Sequence, residues 1–323
     1  VPLQAEILVD RRRLKRRLTL WRLFAVIAVI VLGTALLFQD ENIAAALGYK
    51  SHIARVNVSG IIQDNRNQQA LLEKLAKAKH VKAVILRVNS PGGTATGGEA
   101  LFAAIRAVAE KKPVVAVFGT IATSSAYIVG LATDHIVARG NTITGSVGVI
   151  LQWAEVTELL KKIGVKMEEI KSGPLKATPS PFQPLDDASR ALTEEMIAEA
   201  HNWFLNLVAT RRSISPQNVP GLTDGRIFSG RQALEHKLID SLGGEDDAVK
   251  WLERERKIAK GLPVLDWTEE DKSNGGLWGA SLNFLVRSAG FNASVIDALL
   301  SSSRAINSVQ LDGLISLWHP SDE

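Results

Sequence analysis

A chain of 323 residues, 46% of them apolar, has room for one large domain or two small ones and ample material for a core. It contains no cysteine, which excludes disulfides, thiolate metal sites and cysteine nucleophiles. The net charge of +4 is local: residues 1–38 carry seven basic side chains against two acidic ones, so the remainder stands at −1 and has no electrostatic footprint for nucleic acid.

Residues 1–17 hold the basic cluster, and residues 18–38 are apolar apart from Arg22, Gly33 and two threonines. With Arg22 snorkelling, that run approaches the ~20 residues of a spanning helix. The charge asymmetry then keeps the N-terminus in the cytoplasm and exports everything after Phe38. A cleavable signal peptide, cut near Ala44-Ala45-Ala46, is the alternative; the length of the run favours a retained anchor.

After a linker over 39–52, strand and helix patterns alternate. Ile53 to Val58 reads as a strand and Gln68 to Ala78 as a helix. Val81 to Val88 is a continuous apolar run of the kind found in buried parallel strands. Asn89-Ser90-Pro91-Gly92-Gly93 reads as a turn before a helix from about Gly97 to Lys111. Val114 to Phe118 is a strand, Ala126 to Ala132 a small-residue helix, Ile136 to Ala138 a short strand, and Thr144 to Val149 a glycine-punctuated turn and strand. Glu155 to Ile163 is helical and Val165 to Ile170 strand-like. Four prolines keep Lys171 to Pro184 non-helical. Asp186 or Asp187 caps a long helix to about Thr210, with Leu192, Met196, Ala200, Phe204 and Leu207 on one face. The expectation is an α/β domain over 53–260 with a largely parallel sheet. Apolar islands among serines and glycines fill 261–323, suited to a membrane surface or a neighbouring subunit.

The chemistry centres on Gly119-Thr120-Ile121-Ala122-Thr123-Ser124-Ser125-Ala126-Tyr127. Its hydroxyls lie between a strand and a helix, where free N–H groups and the dipole favour developing negative charge. Two serines share that place. Six histidines are present, none in a triad motif, and G-x-S-x-G is absent; Asp134-His135 reads as structural. A serine nucleophile still needs a base, which directs attention to the lysines of the glycine- and proline-rich loops. No metal-spaced cluster and no phosphate loop is present, so no cofactor is expected.

The ordered set Arg87 to Gly93, Ile121 to Tyr127, Thr144 to Val149, Lys171 to Lys176, Asp224 to Ala233 and Leu238 to Gly244 resembles the bacterial signal peptide peptidase family of the SppA type. The match runs over about residues 53–252. It implies a fold of the ClpP and crotonase superfamily, with repeated strand–strand–helix units around a largely parallel sheet. It places the family's nucleophile on Ser124, its general base on Lys176, and a lysine-orienting serine on Ser146. The oxyanion and substrate-strand segment falls on Gly92 and Gly93, and the residue after the nucleophile, Ser125, supplies a second N–H donor. Family members are membrane-anchored homo-oligomers in which neighbouring protomers combine serine and lysine, and they cleave remnant signal peptides in extended form.

A lysine acts as a base only when neutral, a state that burial favours. Leu175 and nearby prolines suit that role for Lys176, whereas Lys171 beside Glu169 reads as solvated. One departure stands out: the family usually has glycine after the nucleophile, and a left-handed backbone at Ser125 would be disfavoured by its Cβ. The resulting expectation is a serine endopeptidase of the inner membrane with an extracytoplasmic catalytic domain, no nucleic-acid partner, and apolar peptide substrates. A crotonase-like acyl-CoA enzyme and an inactive membrane scaffold of the same fold are the alternatives.

Overall fold

The computed structural model describes residues 17, 20–28, 50–268 and 315–317. Residues 20–28 are helical and exposed, and no helix among the described residues is long and apolar enough to cross a membrane. The rest of the expected span over 18–38 lies outside the described residues, as does 269–314.

Strand β1 (His52–Ile62) leads into helix α1 (Arg66–Lys77), capped by the Asn65 carboxamide. Then come β2 (Val81–Thr94), α2 (Ala95–Ala109), β3 (Val114–Thr123), α3 (Ser125–Leu131), β4 (His135–Ala138) and β5 (Ile143–Gly145). Helices α4 (Thr157–Lys162) and α5 (Asp187–Arg212) precede β6 (Ile227–Ser229), α6 (Gly230–Glu235), β7 (Ser241–Leu242), α7 (Glu245–Glu255) and β8 (Val264–Asp266). A last strand, β9, is formed by Ile315–Leu317.

These strands make one sheet in the order β6-β5-β3-β2-β1-β8, with β4 beside β3 and β7, and β9 beside β2. Every pairing is parallel except β5–β6 and β2–β9. The sheet is covered on both faces, which is why β2 and β3 are apolar without alternation. Val84, Leu86, Val88, Ala116 and Phe118 belong to the larger core with α1, α2, α3 and the end of α5. Ala83, Ile85, Val115 and Val117 face Ala248 and Leu252 of α7. The expected α/β architecture with a largely parallel sheet is therefore present.

Three local expectations fail for identifiable reasons. Asn89 to Gly93 is not a turn: β2 continues to Thr94, because β1 stays paired with it through Ile61–Gly92 and Ile62–Gly93. Val165 to Ile170 is no strand; among the described residues none pairs with it, and all six are exposed. On α5 the buried side chains are Ser189, Thr193, Phe204 and Val208, while Met196 is exposed. The fully buried apolar side chains of that helix, Phe204 and Val208, lie in its C-terminal half, while its first half buries the polar Ser189 and Thr193 and leaves Leu192 only half-buried.

Candidate active site

Strand β3 is divided at Gly119. Below it, Val115 to Phe118 pair with β4; above it, Ile121 to Thr123 pair with β5. The Asn89 carboxamide oxygen accepts from Thr120 N–H (2.9 Å) and Ile121 N–H (3.2 Å), joining the two halves where the ladder to β2 is interrupted. A Cβ on Gly119 would meet that same oxygen at 2.8 Å, so a side chain there would push the Asn89 carboxamide out of its two bonds.

At the top of β3 the chain turns into α3 through Ser124. Its backbone has φ 59° and ψ −124°, a region that costs a residue with a Cβ on the order of 1–3 kcal/mol. Among the described residues, three backbone bonds hold it there. Ser124 N–H donates to Gly145 O (2.9 Å), and Ser124 O accepts from Tyr127 N–H (2.8 Å) and Ile128 N–H (3.1 Å). Tyr127 is fully buried, and its hydroxyl donates to Leu238 O at 2.8 Å, anchoring the helix in the core; that burial pushes the phenol's pKa up. A serine strained between strand and helix has the mechanics of a nucleophile elbow without the G-x-S-x-G sequence.

The strain falls on Ser124, not on Ser125 as the sequence suggested. Ser125 has joined the helix as its first residue. It is fully buried with its hydroxyl unpartnered, and its Cβ packs against Gly98 of α2. As the first helical residue its N–H has no intrahelical acceptor.

Ser146 is brought to the neighbouring corner. Thr123 and Gly145 are register partners, and Ser146 follows Gly145 with φ 53°, its N–H donating to Arg226 O at 2.9 Å. It lines a cavity of about 350 Å³ together with His201 and Asp224. The other wall of the corner is the end of β2. Thr123 Oγ1 donates to Pro91 O (3.0 Å), while Ser90 Oγ donates to Gly60 O (2.6 Å) and accepts from Gly92 N–H (3.0 Å). Gly92 has φ 110°, and a Cβ on Gly93 would lie 1.9 Å from Ile62 O, so neither position suits a side chain.

Lys176 stands apart. It is exposed in a turn where its N–H reaches Gly173 O at 3.1 Å, and among the described residues no hydrogen bond joins it to Ser124 or Ser146. The burial expected of it is not found within one chain. Lys171, expected to be solvated, is the more enclosed lysine, and its ammonium lies 2.9 Å from Glu169. The Asp134-His135 pair is structural. The Asp134 carboxylate accepts from Val114 N–H, and the His135 ring stacks on Trp251 and lies 3.0 Å from Ser241 Oγ.

The roles of Asn89 and Thr123 in tying β2 to β3, and of Ser90 in tying β2 to β1, went unread in the sequence. Gly98 likewise resembled an ordinary helix residue.

Residues 106–259, which include Ser124, Ser146 and Lys176, match the model of peptidase family S49. A Synechocystis sp. protein that carries a provisional protease name is 35% identical over 224 residues, covering 69% of this chain and 81% of the relative. An Enterococcus faecium protein provisionally named signal peptide peptidase SppA is 30% identical over 263 residues, covering 77% and 76%. A chloroplastic protein of Arabidopsis thaliana named serine protease SPPA is 32% identical over 185 residues, covering 56% of this chain and 27% of that protein.

Proposed function

The chain belongs to peptidase family S49, and from that membership we propose a serine endopeptidase in which Ser124 is the nucleophile, Lys176 the general base and Ser146 the group that orients the lysine. The observation that carries the reading is the buried, strained Ser124 at a strand-to-helix corner beside the glycine edge of β2. Ser124 Oγ attacks the scissile carbonyl while its proton passes to Lys176 Nζ. The tetrahedral oxygen is held by backbone N–H groups, for which Gly93 and the first helical residue, Ser125, are the donors; Gly92 N–H is engaged by Ser90 and shapes the edge. The lysine then protonates the leaving amine, and water, deprotonated by Lys176, hydrolyses the ester of Ser124.

Within this proposal the lysine acts across a boundary between two copies. Lys176 is exposed, and its arm carries Leu159, Ile163, Met167, Ile170 and Leu175, all exposed in the single chain. An apolar set of that kind suits a second protomer, whose contact would also desolvate the lysine. The glycine edge suits extended peptides, and the names of the relatives point to signal-peptide remnants as substrates. Anchorage of the domain to the inner membrane through residues 18–38, in the ClpP and crotonase manner of fold, completes the reading.

The test uses a fluorogenic peptide with apolar side chains. Ser124→Ala and Lys176→Ala should each abolish cleavage. Co-assembled in equal amounts, they should recover about one quarter of the parent rate, because random assembly leaves that share of heterologous sites intact. Recovery of nothing would place serine and lysine in one chain, and full activity of either variant alone would remove the dyad.

A further inference from the structure

Strands β1, β2 and β3 run parallel, so they start, and helices α1 and α2 end, at one end of the sheet. Lysines collect there. Lys74 and Lys77 lie in the last turn of α1, Lys79 in the connection that follows, Lys82 at the second residue of β2, and Lys111 and Lys112 between α2 and β3. All but Lys112 are exposed. Against these six stand two carboxylates, Glu73 and Glu110, so residues 73–82 and 110–112 carry +4. Residues 39–323 as a whole carry −1, which leaves −5 for everything outside this corner. The domain is close to neutral in sum and polarised in space.

Part of this charge has an internal task. Lys112 Nζ donates to Leu75 O at 2.6 Å and to Ala78 O, closing the end of α1, and Lys77 meets Glu73. The dipole of α1 also favours cations in its last turn. Neither reason reaches Lys79, Lys82 and Lys111, which lie past the helix and form no ion pair among the described residues. The pKa of Lys112 is lowered, by burial first and then by Lys82 and Lys111, so these charges stand close enough to repel. Like charges gathered in this way oppose the compact state, and an anionic surface relieves them.

The position of the corner selects that surface. His52 N–H donates to His80 O at 3.0 Å, so the chain enters the domain among the lysines, and in sequence the apolar run of 18–38 precedes that entry. The proposed nucleophile is at the other end. β3 starts at Val114, two residues after Lys112, and its ten residues to Thr123 rise roughly 30 Å. Nucleic acid offers the same phosphate charge, but the −5 of the remaining domain repels a polymer long enough to extend past the corner.

We propose that the corner formed by Lys74, Lys77, Lys79, Lys82 and Lys111 docks on the anionic headgroups of a phospholipid bilayer, standing the sheet upright with Ser124 roughly 30 Å above the lipid. The proposal rests on the anchorage reading for the nearness of the bilayer, but not for the charge that meets it.

The chain has no cysteine, so a single introduced one carries a dye without background. His80→Cys places it in the corner, and Asn67→Cys in the first turn of α1, at the far end of that helix. The full chain is reconstituted with vesicles of phosphatidylcholine alone or with about one third phosphatidylglycerol, both holding a headgroup-labelled acceptor. Energy transfer from residue 80 should exceed that from residue 67 and rise at least about twofold with the anionic lipid. Lys74→Gln, Lys77→Gln, Lys79→Gln and Lys82→Gln together, or high salt, should abolish the rise; Lys112 is kept because it closes α1. Equal transfer from residue 80 in the two lipids, or a rise that survives the four substitutions, would overturn the docking. Binding of single-stranded RNA that phosphatidylglycerol vesicles fail to displace would overturn it in favour of nucleic acid. Flotation separates the two readings. A chain that floats only with anionic vesicles, and only with its lysines, would keep the corner and remove the anchor. A chain that floats with both lipids but shows no lipid-dependent transfer would keep the anchor and remove the corner.

Discussion

The Cβ of Ser125 occupies the space that a methyl group on Gly98 would need: a Cβ built on Gly98 falls 2.8 Å from it. The two helices α2 and α3 meet there with one side-chain carbon between them, so the serine after the proposed nucleophile is accommodated by a glycine on the facing helix. Gly98→Ala should destabilise the protein by about 1–3 kcal/mol, even though alanine is the better helix former. Ser125→Gly should recover most of that loss in the double variant, as expected of two residues in direct contact. Urea unfolding of the four chains measures the coupling, and additive single effects would show that the contact does not limit the packing.

Gly93 presents a harder constraint, because the obstructing atom is backbone. Its added Cβ would lie 1.9 Å from Ile62 O and 2.5 Å from Ile62 N, where no side-chain rotation gives relief. Gly93→Ala should separate the ends of β1 and β2 and cost more than about 3 kcal/mol. Gly60→Ala meets no atom within 4 Å but has φ 72°, so it should cost about 1 kcal/mol through the backbone alone. The difference between the two, read from thermal or urea midpoints, separates steric from conformational demand.

Strain at Ser124 can be measured directly. Ser124→Gly should exceed Ser124→Ala in stability by about 1–2 kcal/mol, because glycine enters φ 59° freely and alanine keeps the Cβ. Both variants should lack peptidase activity. A residue whose glycine variant is more stable than its alanine variant sits in a backbone conformation that a Cβ disfavours.

His135 sets an acid limit. Burial against Trp251, with ring centroids 4.5 Å apart, lowers its pKa and outweighs the Asp240 carboxylate 3.8 Å away, which is already engaged by Arg212 and by Ile136 N–H. The folded state thus binds this proton less readily than the unfolded chain. The stability it contributes is complete above the unfolded value of about 6.5 and is lost as pH falls from there through the lower folded pKa. Urea midpoints should drop between about pH 7 and 5, and His135→Gln should flatten that part of the profile.

The apolar runs Val81 to Val88 and Val114 to Phe118 announced a buried parallel sheet, and the small residues from Ala126 to Ala132 announced a helix packed tightly on it. Both signals are local in sequence, and both are present in the fold. What could not be read was pairing. β2 runs on through a Pro-Gly-Gly stretch because β1 and β9 flank it, and Val165 to Ile170 stays irregular because none of the described strands comes beside it. Lys176 illustrates the same limit at the site. Its neighbours Leu175 and Ala177 are apolar, but among the described residues nothing covers them, and Lys176 is exposed.

The seam between β1 and β8 gives the domain a point of suspension. β8 lies beside only the first residues of β1, with Ile53, Ala54 and Arg55 opposite Val264, Leu265 and Asp266. Trp267 then donates its ring N–H to the His52 imidazole at 3.1 Å, and Arg55 grips the Asp266 carboxylate through two nitrogens. The chain therefore enters the sheet at β1 and, before β9, comes back to that same corner at β8. A pull exerted between the two flanking segments is borne first by this three-residue seam and its Arg55 clasp, while the Ser124 corner, three strands across, carries none of it until the seam gives way.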